Sequence, residues 1–225
     1  SSPSYSLCTK LFARLRCRIS PDGERVGGVV PDLVLSGAFA LSKISASSSG
    51  VILNTRRMFC RLLRTLEVDT VCDVGSMDGS DALLFRRALP RARIIALEPN
   101  PRNFKLMEEN EELRRKAIAI MPLAASDRES IAPFFVTEAN YNARDDRVRR
   151  GLGSLRERLD GPRIAAVVEV RTTRLDNVLN TSSTGEGVIA LWIDTEGMAF
   201  EEICGASGVL HATRLIHIEV ETNSI

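Results

Sequence analysis

The sequence predicts an α/β fold built on a doubly wound, mainly parallel sheet, and three observations carry that expectation. From Val51 onward, short apolar segments alternate with segments of helical periodicity, which is the pattern of βαβ units. The short segments are near-continuous apolar runs such as RIIALE and VIALWID, as suits strands buried on both faces. The stretch VCDVGSMDGSDALLF, from Val71 to Phe85, passes from a strand through a turn holding two glycines and two aspartates straight into a helix.

The elements follow in order. Asn54 or Thr55 caps a helix whose apolar positions are Met58, Leu62, Leu63 and Leu66. The strand TVCDVG comes next, then a helix from Gly79 to Leu89, then the strand RIIALE. Pro101 opens a helix running through Phe104, Met107 and Leu113, since its fixed φ suits a first helical turn. AIAIMPLA reads as a third strand, VIALWID as a fourth and TRLIHIEV as a fifth. Residues 128–187 interrupt this alternation as an insertion, in which IAPFFV and AAVVEVRTT read as strands around a charged loop containing Arg144 to Arg158. The domain of alternating strands and helices is expected over residues 51–225, preceded by an N-terminal extension over 1–50. In that extension Leu7, Leu11, Leu15 and Ile19 recur at helical spacing beside Lys10, Arg14, Arg16 and Arg18, and SASSSG at 45–50 marks a flexible boundary.

Composition narrows the function. A net charge of +1, with 44% hydrophobic and 26% charged residues, is an ordinary globular balance, so neither nucleic acid nor an anionic membrane is an expected partner. The five cysteines are odd in number and scattered, with no CxxC pair and no Cys/His spacing for zinc, which predicts reduced thiols in a cytoplasmic protein. No eighteen apolar residues run together, so no membrane span is expected. Asn180-Thr181-Ser182 fits a glycosylation sequon that the cysteine pattern argues against.

Ligands of such sheets lie beyond the carboxyl ends of the strands. The first strand delivers Asp73, Gly75, Ser76, Met77, Asp78 and Gly79 to that rim, and the second delivers Glu98, Pro99 and Asn100. The spacing from Asp73 to Glu98 suits a carboxylate gripping a ribose. Met77 stands where a dinucleotide-binding G-x-G-x-x-G has its second glycine, and two aspartates crowd the place of a pyrophosphate, so the turn suits instead a cofactor with cationic parts, such as S-adenosylmethionine. The third strand leads to Ser126 and Asp127, the fourth to Asp194 and Glu196, and the fifth carries His217 and Glu219. The alternation of His217 and Glu219 with Ile216, Ile218 and Val220 reads His217 as a polar residue on the less buried face. Asp194, Glu196 and Glu219 are hard oxygen donors, yet no spacing demands an ion and no metal is expected.

The segments DVGSMDG, ALEPNPRNF, AASD, GLGSL, TTRLDNVL, LWIDTEGMAFEEICGA and IHIEVE, in that order and spacing over residues 55–225, resemble the FkbM family of S-adenosylmethionine-dependent methyltransferases. The resemblance implies a class I, Rossmann-like methyltransferase fold and methyl transfer to a hydroxyl oxygen of a sugar, polyketide or related small metabolite. By matching position it implies that Asp73, Gly75 and Gly79 line the methionine part of the cofactor, Glu98 binds the ribose and Asp127 lies near the adenine. Asp194 and Glu196 would then face the reactive methyl group, with Glu219 at the same cleft. Met77 stands where family members often carry Asn, and Trp192 where they often carry Lys. The fold normally ends in an antiparallel hairpin, which a sequence reaching only Ile225 leaves unaccounted for. Two other functions fit parts of the pattern: an NAD-type oxidoreductase, and a catalytically silent module that binds a cofactor without turning it over. An alcohol acceptor needs a base, for which Asp194, Glu196, His217 and Glu219 are the candidates. Acceptor identity and oligomeric state are left open by the sequence.

Overall fold

The computed structural model describes residues 33–35, 38–42, 54–137, 153–157, 163–179 and 187–219. The helical repeat Leu7–Ile19, the SASSSG stretch, Arg144 to Arg150 and the sequon at Asn180 lie outside the described residues.

Ten strands are present: β1 (Leu33–Leu35), β2 (Ala38–Ser42), β3 (Thr70–Val74), β4 (Arg93–Leu97), β5 (Ala119–Met121), β6 (Leu123–Ala125), β7 (Ser130–Thr137), β8 (Ile164–Thr173), β9 (Ile189–Ile193) and β10 (Thr213–Ile218). The helices are α1 (Thr55–Thr65), α2 (Ser80–Ala88), α3 (Pro101–Glu109), α4 (Glu111–Arg115), α5 (Leu175–Val178) and α6 (Ala199–Gly205). Seven strands form one sheet in the order β1-β2-β10-β9-β3-β4-β5. Every pairing from β2 to β5 is parallel, and only the edge pair β1–β2 is antiparallel. The doubly wound parallel sheet is thus as the apolar runs predict.

Both faces are covered, and the strands divide residue by residue between them. Cys72, Val74, Leu97, Leu191 and Ile193 pack on one side with α5 and α6. Val71, Ile94, Ala96, Ala190 and Trp192 pack on the other with Phe59 and Leu63 of α1 and Phe85 of α2. This period of two within unbroken apolar runs is what a sheet buried on both faces requires. It also corrects the reading of His217. The residue is 1% exposed, and its ring stacks on Trp192 at 3.6 Å between centroids, inside the core beneath α1.

Local sequence sets the element ends. The Asn54 side chain accepts from the Arg57 amide and caps α1. The helix expected to run from Pro101 through Leu113 is two helices, because Asn110 ends α3 and caps α4 by accepting from the Glu112 amide. The third predicted strand is also divided. Pro122 has no amide to donate to a ladder, so β5 stays beside β4 while β6 leaves to pair with β8. β6 joins β7 and β8 of the insertion in a second, three-stranded sheet, with Phe134, Val136 and Val170 in its core. At the other edge β2 runs parallel beside β10, so a strand from the N-terminal segment extends the sheet there.

Candidate active site

The carboxyl ends of β3, β4 and β9 open into a cleft of about 540 Å³, counting its part open to solvent, which the second sheet faces from across β6. Its first wall is the turn after β3. Gly75 has φ +81°, and a Cβ there would stand 2.4 Å from the Asp194 carbonyl oxygen and 2.9 Å from Thr195 Cγ2. Only glycine lets the turn lie this close to the end of β9. The Gly75 and Ser76 amides donate to the Leu97 carbonyl, and the Asp194 amide donates to the Val74 carbonyl, so the three strand ends are tied together by backbone alone.

Asp73 lies just below this turn, almost wholly buried, and accepts from Ser76 Oγ at 2.6 Å. Burial pushes its carboxyl well above the usual range, and the charge of Asp81 adds to this while the Ser76 hydrogen bond opposes it. Met77 adopts φ +55°, a region that favours Asn over longer side chains.

Glu98 ends β4 and is 4% exposed. The Met77 amide donates to its Oε2 at 2.7 Å and the Asn100 amide to its Oε1 at 2.8 Å. Burial nevertheless pushes it up to about 7, with those amides and the Asn103 side chain holding it down. Asn100 in turn caps α3 by accepting from the Arg102 amide.

The opposite wall begins at Asp194 and Glu196, both half-buried in the loop after β9. Ser154 bolts the second sheet to that loop: its backbone exchanges two hydrogen bonds with Phe135 of β7, and its hydroxyl donates to the Glu196 carbonyl at 2.7 Å. Between the walls, Leu123, Phe134, Leu155 and Met198 supply apolar surface. The floor holds Glu202 of α6, 2% exposed, whose Oε2 accepts from Thr195 Oγ1 at 2.8 Å. Burial pushes Glu202 up to about 8, against the Thr195 hydrogen bond.

Of the residues singled out from the sequence, Gly75, Glu98, Pro99, Asn100, Asp194 and Glu196 line this one cleft. Asp73 and Ser76 brace its turn from beneath. Four others do not line it. Gly79 starts α2, where a Cβ would strike Leu113. Ser126 is buried where α6 crosses the end of β6, its carbonyl 2.0 Å from where a Cβ on Gly205 would stand. Asp127 is held below the usual carboxylate range by hydrogen bonds from Arg128 at 2.8 and 3.1 Å. Glu219 follows β10, its amide donating to Ile193. Among the described residues no group of three His, Cys, Asp or Glu side chains is placed to hold a metal ion, and no helix is long and apolar enough to cross a membrane.

Sequence reasoning missed Thr195, Phe134, Asn103 and Glu202. A signal for Glu202 was available, because Thr195, Met198, Glu202 and Ala206 recur at helical spacing and Ala206 is wholly buried.

Among the described residues, four carboxylates and no Lys, Arg or His line the cleft. Such a surface attracts cations and repels phosphates. The profile described as the methyltransferase FkbM domain matches residues 73–224. The 2-O-methyltransferase NoeI of Sinorhizobium fredii (strain NBRC 101917 / NGR234) is 29% identical over 157 residues, which are 66% of this chain and 62% of that protein. The chain thus spans less than two thirds of that relative's length. Among solved structures, methyltransferase FkbM from Methylobacillus flagellatus KT aligns with a TM-score of 0.42 and 13% identity, covering 67% of this chain and 32% of that one. With the family's profile extending from the end of β3 past β10, the chain belongs to the FkbM methyltransferase family.

Proposed function

We propose that this protein transfers the methyl group of S-adenosylmethionine to a hydroxyl oxygen of a small, uncharged or cationic metabolite such as a sugar or polyketide. The observation that carries the reading is that, among the described residues, every charged side chain lining the cleft is a carboxylate. The cofactor's ammonium and sulfonium are positive, and the residues present suit it: Gly75 offers close backbone approach, Glu98 offers hydrogen-bond acceptors to ribose hydroxyls, and Asp194 offers a counter-charge. When bound, this cofactor supplies a methyl carbon already activated for displacement. The protein's own work is to align the acceptor with it and keep water out, and alignment of that kind can contribute roughly 7–11 kcal/mol. The relative's printed name, a 2-O-methyltransferase, supports oxygen as the acceptor atom.

The same lining disfavours the oxidoreductase reading, since a pyrophosphate would meet carboxylates instead of amides and cations. Calorimetric titration with S-adenosylhomocysteine and with NAD separates the two, and heat is expected with the first alone. Absence of binding by S-adenosylhomocysteine would sink the methyltransferase reading. Binding without formation of S-adenosylhomocysteine from S-adenosylmethionine across a broad acceptor panel would instead identify a silent module.

A further inference from the structure

We propose that Glu202, positioned by Thr195, is the group that takes the proton of the acceptor hydroxyl. This rests on the methyl-transfer reading above and assigns its base. Three carboxylates compete for the role at this end of the cleft. Asp194 and Glu196 are only half-buried, in the loop after β9. Glu202 is buried, lines the same cleft and is served by one donor, Thr195 Oγ1 on Oε2. That bond falls on Oε2, and it is the one hydrogen bond recorded to the Glu202 carboxyl among the described residues. A desolvated carboxylate is a strong proton acceptor, and a proton affinity near neutrality is what general-base catalysis favours. Glu98, the other buried carboxylate of the cleft, has an amide on each oxygen and is occupied in that structural role.

Placement supports the same assignment. The methyl of Thr195 stands 2.9 Å from where a Cβ on Gly75 would be, and its hydroxyl holds Glu202, so a single side chain separates the strand-to-helix turn from the base. The charges that bear on Glu202 are also acidic: Glu201 beside it on α6 raises it, and Glu98, Asp194 and Glu196 line the same cleft. Cys72 of β3 lies close enough to feel its charge. Arg156, near this end, is paired with Glu201. In the step itself, the proton moves to Glu202, the oxygen keeps the electron pair of its O–H bond and uses it to bond the methyl carbon, and the pair of the broken carbon–sulfur bond stays on sulfur.

The test uses the whole protein and three variants, Glu202→Gln, Glu202→Asp and Thr195→Val. S-adenosylhomocysteine binding is measured by calorimetry, and the protonated-carboxyl band is followed by infrared spectroscopy in the complex from pH 5 to 9. Initial rates are then taken across pH with S-adenosylmethionine and a panel of methyl hexopyranosides and phenols. Glu202→Gln should bind S-adenosylhomocysteine within about threefold of the unaltered protein, lose one carboxyl band titrating near neutrality, and turn over at least about 100-fold more slowly. Glu202→Asp should recover part of the rate. Thr195→Val, which removes the hydrogen bond that favours the charged form, should move the midpoint of the pH–rate profile upward, a shift that a merely structural residue would not cause. Unchanged turnover and pH profile in a Glu202→Gln variant that binds would overturn the assignment while leaving methyl transfer standing. If no panel compound is methylated by a protein that binds S-adenosylhomocysteine, the infrared titration decides alone: a Glu202 carboxyl ionised throughout pH 5–9 overturns the proposal, and one titrating near neutrality upholds it.

Discussion

The two ends of the cleft each bury a glutamate, and they bury it differently. At the β4 end, Glu98 receives a backbone amide on each oxygen, one from Met77 and one from Asn100. At the α6 end, Glu202 receives a single side-chain hydroxyl, from Thr195 on Oε2. Amides fixed by the fold cannot turn away, so the first arrangement holds a carboxylate in place for recognition. One rotatable hydroxyl leaves the second free to exchange a proton. Burial alone does not separate a gripping carboxylate from a reactive one; the number and origin of its donors do.

The comparison can be broken most severely at the turn both ends share. Gly75→Ala should destabilise the protein by about 3–5 kcal/mol in denaturant melting, because it combines a left-handed backbone with a collision against the Asp194 carbonyl. A loss under about 1 kcal/mol would mean that the loop after β9 yields easily.

A second expected effect is a fall in stability with rising pH. Both glutamates titrate above their ordinary value of 4.5 when folded, so the folded protein holds protons that the unfolded chain releases. Their stabilising contribution is complete below 4.5 and is lost as pH climbs through about 7 for Glu98 and about 8 for Glu202. Melting of the ligand-free protein should show a decline on the order of 2–4 kcal/mol between pH 5 and 8, which the double variant Glu98→Gln/Glu202→Gln flattens. A flat profile in the unaltered protein would show that neither carboxyl is as desolvated as the structure has it.

Glu98→Ala tests recognition by itself. Loss of the carboxylate should weaken S-adenosylhomocysteine binding by roughly 1–3 kcal/mol, the usual penalty for removing hydrogen bonds to a charged group. An unchanged dissociation constant in a folded variant would place the ribose elsewhere. The smallest expected effect is at Met77, where Asn fits φ +55° more readily. Met77→Asn should raise the free energy of unfolding by up to about 1 kcal/mol, since the amide it carries to Glu98 no longer sits on a strained residue.

What the sequence disclosed follows from the same contrast. Gly75, Glu98, Asn100 and Asp194 could be found because each sits directly after an apolar run, and a strand's end is legible from its length and composition. Asn54 and Pro101 marked helix starts because caps and first-turn prolines act locally. Glu202 escaped because the pair Glu201-Glu202 looks like a solvated helix face, and only packing of α6 against β6 through Gly205 turns one of the two inward. His217 was misplaced for the converse reason. Alternation along β10 was taken as inside against outside, whereas both faces of that strand are inside and what alternates is the identity of the neighbouring helix layer. The separation of β5 from β6 hangs on Pro122, whose effect was overlooked within an otherwise apolar run.

The pairing of β2 with β10 also bears on how the chain reaches its folded state. These strands come from opposite ends of the described sequence, yet Phe39 lies beside Leu215. During synthesis the earlier strand emerges long before its partner exists. The sheet can assemble from β3 and β4 outward while the β1–β2 pair keeps one edge open, available to another nascent chain until β10 leaves the ribosome.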